Sequence, residues 1–533
     1  MTRNLVVGSG PAAAGIALAL AEDTSQQITV IDIGHQLEPA RQDAVHRLAV
    51  GTPTTWNKRD VEIIGTQPAD VAVQGLPEKR SYGSDFPFRN MGQLDGVRGI
   101  GQVNGAVISG AYGGLSNVWG SQVMVFTPAT FSEWPVSSND MAAHYRKILE
   151  EIPYAAEEDA LARRFPLVGK ASPLPELAPR TQTTIDAAER HRSALDRVGV
   201  LVGRARLAFE STNCVRCGLC MTGCPYSLIY SSAHTFDRFR RSDRIEYHDR
   251  LLAIKVGQDD QTPYVVARQL GTETIHRFKA DRVFLACGAV GTTRLVLGSL
   301  LLFDQDVELA ESAQFVVPMM SMRQTPDPRK HSEFTLNQFN MAISTDDDWL
   351  DVAQIHFYPH NPAIVDALPK VLNTRMGAPV ASQLLRRITV GLGYLPSWAS
   401  PVLRARAEVP SGPDLLPNLV LSGEVMQALQ NTMFRQVIRK VLQVAPRLDL
   451  WPMLPMMFFA AGGKSYHFGG SFPHRNSPAD GPLTTDRLGR LDKWSRVHLV
   501  DASVFPSVPA TTFTLTIMAN AHRIASEALR QPE

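Results

Sequence analysis

The sequence predicts an α/β fold built on a Rossmann-like dinucleotide-binding unit, with a second α+β lobe of sheet and helix beside it. Three observations lead there. Residues 4–33 read as a strand (NLVV), a glycine turn (GSGPAAAG), an apolar helix from Ile16 to Ala21 and a second strand (ITVIDI), which together make a βαβ unit. Residues 245–287 alternate like strands and end in the apolar run VFLACG, which enters a second glycine turn. The chain has 533 residues, more than one core usually needs, so two to four folding units are expected.

The first turn carries chemistry. Gly8 permits the tight bend, Gly10 lets backbone approach a pyrophosphate, and Ala13 stands where a third glycine would allow close helix–strand packing. Phosphates at such a turn sit on a helix N-terminus, where free N–H groups and the dipole favour negative charge. Asp32 closes the second strand 22 residues after Gly10, where an acid hydrogen-bonds ribose hydroxyls; an ordinary surface acid is the alternative. The turn alone does not separate one dinucleotide from another, because all use the same phosphate physics.

Composition narrows the function classes. Lys plus Arg (53) nearly equals Asp plus Glu (52), so bulk charge favours neither nucleic acid nor an anionic membrane, and a small molecule is the expected partner. The N-terminus passes from MTRN directly into the glycine turn without the apolar core of a secretory signal, so a cytoplasmic protein is expected. No uncharged run reaches spanning length, and the nearest, Phe284 to Phe303, is broken by glycine and Arg294. The apolar stretch Leu450 to Ala461 is expected to be a buried pocket wall, with a membrane- or partner-contacting patch as the alternative. There are no internal repeats or low-complexity tracts. Residues 35–95 are polar and rich in turn formers and predict a long extended excursion, while 136–195 and 405–448 show helical periodicity.

Three later segments add to the βαβ unit. Gly113-Gly114-Leu115-Ser116-Asn117-Val118-Trp119-Gly120 is a glycine-rich loop with a polar pair and an aromatic residue, suited to letting backbone approach a planar ring. Leu285 to Arg294 (LACGAVGTTR) is the second glycine turn. Leu499 to Pro506 (LVDASVFP) precedes a helix in which Phe513, Ile517, Ala521 and Ile524 share one face.

With these motifs, the segment WPVSSNDM at 134–141 and the run Ser465-Tyr466-His467-Phe468-Gly469-Gly470, the sequence resembles the glucose–methanol–choline (GMC) family of flavin oxidoreductases over nearly its whole length and in the same order. The resemblance implies FAD as cofactor and a discontinuous FAD-binding domain from 1–130, 201–302 and 461–533, with a substrate-binding domain from 131–200 and 303–460. It places Asp501 and Ala502 beside the pyrophosphate and ribityl chain. It also aims the helix beginning near Thr512 at the flavin ring, where a positive helix end favours added negative charge.

The same resemblance assigns His467 as the base that takes the hydroxyl proton while the carbon gives up hydride; a structural histidine is the alternative. Relatives carry Asn-Pro or His-Pro before the last helix, but here the position is Thr512-Phe513, and Thr512 can hydrogen-bond but not act as a base near neutral pH. His474 and Asn520 are the candidate substitutes, and Trp119 stands where relatives often have a polar residue.

Cys214-Val-Arg-Cys217-Gly-Leu-Cys220-Met-Thr-Gly-Cys224-Pro225 has the C-x2-C-x2-C-x3-C-P spacing of bacterial ferredoxins. In that pattern the fourth cysteine serves another cluster, and the one further cysteine, Cys287, lies on an expected strand. An iron–sulfur cluster, zinc and a compact turn with buried thiols all remain open. Some sugar-oxidising relatives carry a cluster in this region, which implies Cys214, Cys220 and Cys224 as ligands to a three-iron cluster, with Cys217 in reserve. A cluster would make the protein a dehydrogenase that passes electrons to an external acceptor.

The resemblance to proteins of bacterial sugar and glycoside modification implies a carbohydrate hydroxyl as substrate; His356, Tyr358, His360 and Tyr394 are candidate contacts to a sugar ring, with ordinary sheet residues as the equal alternative. A redox-neutral isomerase and a flavin or iron–sulfur electron carrier are the rival classes.

Overall fold

The computed structural model describes residues 1–65, 80–89, 96–101, 103, 106–328, 332–360, 378–412, 414–424, 426–428, 430–477, 481 and 483–531. Strand β1 (Thr2–Val7) enters the glycine turn, helix α1 (Pro11–Ala21) follows, and β2 (Gln26–Ile31) returns parallel to β1. The sheet is completed by β5 (Glu246–His248), β9 (Arg282–Leu285) and β20 (Val497–Leu499), all parallel, in the order β20-β9-β1-β2-β5. Every residue of β9 is buried, as expected of a parallel sheet covered on both faces. Three antiparallel strands, β6 (Leu251–Asp259), β7 (Thr262–Gln269) and β8 (Ile275–Lys279), complete the alternating stretch.

The second lobe is one antiparallel sheet. It contains β4 (Val200–Arg204), β11 (Gln314–Met320), β12 (Phe339–Ser344), β13 (Val352–Tyr358), β14 (Ile388–Tyr394) and β17 (Trp451–Pro452) in the order β17-β11-β14-β13-β12-β4. A short strand, β18 (Phe458–Phe459), also pairs with β11. One face packs on the amphipathic helix Thr432–Leu448 through Phe434, Val437, Val441 and Val444. A third sheet, β19 (Phe468–Gly469), β10 (Asp306–Glu311), β15 (Leu403–Ala407), β16 (Leu419–Gly423) and β3 (Val97–Gly99), joins segments from both expected domains.

Several expectations require correction. The domain boundary at 201 falls inside β4, which pairs with β12 in the second lobe. The stretch assigned to the substrate domain from 131 begins with helix α2 (Ser138–Glu151), whose Met141, Tyr145 and Ile148 belong to the first core. Amphipathic periodicity shows that a helix has a buried face, not which core buries it. Residues 403–407 and 419–423 are strands, so helical structure in the 405–448 stretch starts only at Thr432. Helices at Pro39–Val50 and Lys58–Ile64 replace the extended chain expected for 35–95, whose residues 66–79 and 90–95 lie outside the described part. No helix among the described residues is long and apolar enough to cross a membrane.

The first core is held in register by a close helix crossing. Helix α1 packs on α3 (Thr514–Ala528; the helix α2 lies against its other side), and a Cβ on Gly15 would stand 2.3 Å from the Met518 carbonyl oxygen. Only glycine fits there, because neither backbone can give way without moving a helix. Replacing Gly15 with alanine is expected to destabilise the fold by about 1–3 kcal/mol, the usual range for forced overpacking. A urea midpoint equal to the wild type's would refute the contact.

Across the same bundle, His144 of α2 and His522 of α3 meet Nδ1 to Nδ1 at 2.9 Å. Burial, and then the charge of His522, lowers the His144 pKa from 6.5 to about 4; burial also lowers that of His522. A neutral pair therefore contributes stability that is fully present above pH 6.5 and is lost as the pH falls toward 4. Thermal unfolding of His144→Phe should show a shallower decline over this interval than the wild type.

Candidate functional site

Three helix N-termini open into one cavity of about 1280 Å³ that runs between the lobes. They belong to α1, to the helix Ala289–Ser299 and to α3, and none has a side-chain cap. Their first-turn N–H groups have no intrahelical acceptor, so the cavity offers three sets of donors to an anionic ligand. Of the residues expected to hold a cofactor, Gly8, Gly10, Asp32, Gly114, Ser116, Asn117, Trp119, Asp501, Ala502 and Thr512 line this cavity. Ala13 is fully buried within α1, and neither it nor Gly113 lines the cavity.

The glycines differ in what requires them. At Gly8 (φ +105°) a Cβ would stand 2.6 Å from the Ala286 carbonyl oxygen, so the fold itself excludes a side chain. At Gly10 the nearest atom to such a Cβ is the Gly114 Cα at 4.0 Å. The protein therefore leaves room at Gly10 on the cavity side, as a cradle for a closely approaching ligand must.

A buried serine ties the pieces together. Ser9 Oγ donates to Asp32 and accepts the Gly113 N–H at 2.9 Å, joining the glycine turn, the end of β2 and the 113–120 loop. Tyr247 donates to the same Asp32 oxygen at 3.0 Å. Burial raises the Asp32 pKa to about 7 despite these bonds, so the carboxyl is held where a donor from a ligand would stabilise its charged form. Within the loop, Asn117 Nδ2 donates to the Tyr112 and Gly114 carbonyls at 2.9 and 2.8 Å, and Ser116 Oγ accepts the Ser232 N–H at 2.9 Å. Trp119 Nε1 donates to the Tyr230 carbonyl at 2.8 Å, so the indole is pinned by its polar edge. Asp501 accepts from Thr292 and from the Ser503 N–H, closing the turn that brings Ala502 to the cavity.

His467 lies in the same cavity. Its ring stacks on Tyr394 (centroids 4.6 Å apart, 22° between planes) and meets Phe513, at the mouth of α3, edge-on at 5.0 Å. The loop that carries it is fixed from below by Glu311 of β10, which accepts the Gly463 N–H at 3.0 Å and the Ser465 N–H at 3.1 Å. Gly469 docks on the Ala502 turn, where a Cβ would stand 2.6 Å from the Ala502 carbonyl oxygen. Thr512 Oγ1 donates to the Gln122 carbonyl at 3.2 Å. His474 and Asn520 are elsewhere: both are fully buried, His474 bonds the Asp486 carbonyl at 2.7 Å and Asn520 at 3.3 Å, and neither lines the cavity.

The cysteine turn borders the cavity through Cys220 and Cys224. Burial raises all four thiol pKa values, to about 11 for Cys214 and about 12 for Cys217, and neighbouring thiols add to the effect at Cys214, Cys217 and Cys224. Cys220 Sγ accepts the Thr335 N–H at 3.3 Å and Cys214 Sγ the Arg216 N–H at 3.4 Å. Among the described residues no three His, Cys, Asp or Glu side chains converge to hold a metal ion. The expected ligand set Cys214, Cys220 and Cys224, with or without Cys217, is therefore not assembled in this arrangement.

The sequence reasoning did not identify Ser9, Glu311 or Gln122. Ser9 lies between two glycines of the recognised turn, so its position was a usable signal, and Glu311 is an acid inside an apolar strand. Gln122 gives no local signal.

Glu311→Gln would set an amide N–H against backbone donors. Hydrogen exchange at Gly463 and Ser465 should then accelerate by at least roughly tenfold, for a lost bond to a charged acceptor of about 1.5–3 kcal/mol; unchanged protection would show that the carboxylate does not hold the loop.

No family model matches the sequence, and no curated protein does. Among solved structures, the chain is similar to pyridoxine 4-oxidase from Mesorbium loti, with a TM-score of 0.62, 13% identity and 100% of each chain covered. It is also similar to an FAD-dependent oxidoreductase from Chaetomium thermophilum bound to a butanamide fragment, with a TM-score of 0.61, 12% identity and 100% of each chain covered. At these identities the likeness establishes the fold, an α/β nucleotide-binding architecture with a sheet lobe, over the full length.

Proposed function

We propose that this protein binds FAD along the three helix N-termini and oxidises an alcohol carbon to a carbonyl, with His467 as general base. The observation that carries the reading is that His467 shares one cavity with the glycine cradle and is held at the mouth of α3 by Phe513 and Tyr394. Of the similar structures, one is named a pyridoxine 4-oxidase and the other an FAD-dependent oxidoreductase, which supports the same reading.

The donor set suits the cofactor. Backbone N–H groups at Gly10 and Ala289 face the cavity where a pyrophosphate would need them, and Asp32 is placed to accept from ribose hydroxyls. Bound FAD supplies the hydride acceptor. The protein's own contribution is electrostatic and proton-handling. The α3 N-terminus favours negative charge at its mouth by about 0.3–2 kcal/mol. An imidazole beside the substrate hydroxyl takes its proton as the C–H bond is broken, so that neither a free alkoxide nor a carbocation need form. Thr512, committed to the Gln122 carbonyl, holds the approach to α3 rather than moving a proton.

Preference for a dehydrogenase over an oxidase depended on electrons leaving through the cysteine turn. No step is assigned to the cysteine turn, and the reading stands at alcohol oxidation with the acceptor unspecified.

Purified protein should carry FAD, and its visible absorbance should bleach lastingly when an alcohol substrate is added without oxygen. His467→Ala should retain FAD and bleach at least roughly a hundredfold more slowly, the usual scale of general-base catalysis. Bleaching at the wild-type rate in that variant would remove the base, and FAD-free protein that cannot be reconstituted would remove the whole reading.

A further inference from the structure

The wall opposite the helix N-termini is the face of the second-lobe sheet, and its side chains fall into cross-strand rows. The innermost row pairs Tyr394 with Gln314 on one side and Gln354 on the other. The next joins Leu392 to Val316, His356 and, through β11, Phe458. The third joins Val390 to Pro318 and Tyr358, and the last joins Ile388 to Met320, which pairs with Trp451. Six residues separate Tyr394 from Ile388, a run of about 20 Å along an extended strand. On β14, β11 and β18 the cavity is lined beyond the first row by Val316, Pro318, Ile388, Val390, Leu392 and Phe458, all apolar.

The expected pocket wall at Leu450 to Ala461 proves to be the outer end of this surface. Met456 lines the cavity yet is 49% exposed, with Leu454 at 45% and Trp451 at 39% beside it. An apolar wall that ends in an apolar exposed lip is unsuited to a carbohydrate, whose many hydroxyls each need a partner.

The polar groups of the wall are largely committed to one another. Gln314 Nε2 donates to the Tyr394 hydroxyl at 3.0 Å, His356 Nε2 meets Gln354 Oε1 at 3.1 Å, and Gln354 Nε2 donates to Thr511 Oγ1 at 3.0 Å. Burial drives the His356 pKa down to about 3, so this ring is neutral. His360, another expected sugar contact, is not among the lining residues. Gln122 is different. It lines the cavity, is 4% exposed, and neither its amide oxygen nor its amide nitrogen has a partner in the protein. Its carbonyl is bound to Thr512, next to the Phe513 that touches His467. An orphaned buried amide costs about 1–3 kcal/mol unless something fills it, and an amide can both donate to and accept from a single hydroxyl.

We infer that the substrate is a predominantly apolar alcohol whose one reacting hydroxyl is oriented by the Gln122 amide beside His467, and whose hydrocarbon body lies along the Leu392–Val316–Val390 wall toward the Met456 lip. This rests on the flavin-dependent alcohol oxidation proposed above and puts a different chemical class in place of the carbohydrate that the sequence resemblance implies. Gln122 is thus a binding residue for the hydroxyl, and the aliphatic rows determine specificity.

The test uses the FAD-loaded enzyme under anaerobic single turnover, with butanol, hexanol, octanol and decanol as primary alcohols and methyl glucoside and glucose as sugars. The half-saturating concentration for flavin bleaching should fall by roughly fourfold for each added methylene, the factor expected for burying one CH₂ at about 0.8 kcal/mol. Val316→Thr, nearly the same shape, should flatten this dependence without altering FAD content. Gln122→Leu and Gln122→Met should each lower kcat/KM for every alcohol by at least roughly tenfold while keeping FAD and the chain-length dependence, a combination that general loss of structure would not produce. Bleaching by the sugars with no dependence on alkyl length would overturn the substrate class and leave the flavin reading intact, whereas bleaching by none of the compounds would overturn both. Wild-type kcat/KM in both Gln122 variants would overturn the role of the amide.

Discussion

The absent side chain at Gly15 is the constraint on which the site depends. Helices α1 and α3 come from opposite ends of the chain, and each delivers an uncapped N-terminus to the cavity. Their separation is set where Gly15 meets the Met518 carbonyl, and backbone against backbone leaves no side-chain flexibility to absorb error. In the proposed FAD reading the α1 end serves the phosphate region while the α3 end lies beside His467, so a fixed crossing would set the distance between the anchoring and reacting ends of the dinucleotide.

Buried carboxyls complete that frame. Asp32, Glu311 and Asp501 are almost entirely removed from water, and burial pushes each pKa upward. Each is tolerated because it accepts two or more hydrogen bonds that join separate segments: Asp32 joins β2 to the glycine turn through Ser9, Glu311 joins β10 to the His467 loop, and Asp501 joins the Ala502 turn to the helix at Thr292. The binding loops are therefore held by polar ties whose loss leaves a buried group unsatisfied, and this gives mobile-looking, glycine-rich sequence a definite shape.

What was legible in the sequence was what covalent spacing determines. Gly8, Gly10 and Asp32 are separated by the dimensions of one βαβ unit, so reading their order amounts to reading their geometry. The Ser116–Asn117 pair and the Asp501–Ala502 turn were legible for the same reason, through short local motifs. Gln122 was not, because its importance comes from lacking a partner, which is a property of the folded environment. Glu311 acquires its role only when β10 pairs with β19, across more than 150 residues of chain. The cysteine turn has the spacing of a ligand set, yet among the described residues no three of its side chains converge as a metal site. Periodicity likewise misread 405–431, where strands β15 and β16 take their partners from distant sequence.

The two lobes contribute different kinds of chemistry because their sheets differ. A parallel sheet places helix N-termini along the carboxyl edge of its strands, and so presents unsatisfied backbone donors that attract charge without reading a substrate's identity. An antiparallel sheet uses up its backbone groups in its own ladder and presents alternate side chains at a regular spacing. One wall of the cavity is therefore polar by construction, and the other is as apolar as its sequence makes it. His467 and Gln122 stand where the two meet. A molecule that is part hydroxyl and part hydrocarbon is drawn to that boundary from both sides, its polar end by the Gln122 amide, unpartnered among the described residues, and its body by the aliphatic rows. Reaction at one carbon then follows from the fold's division of labour, without a dense network of substrate-specific hydrogen bonds.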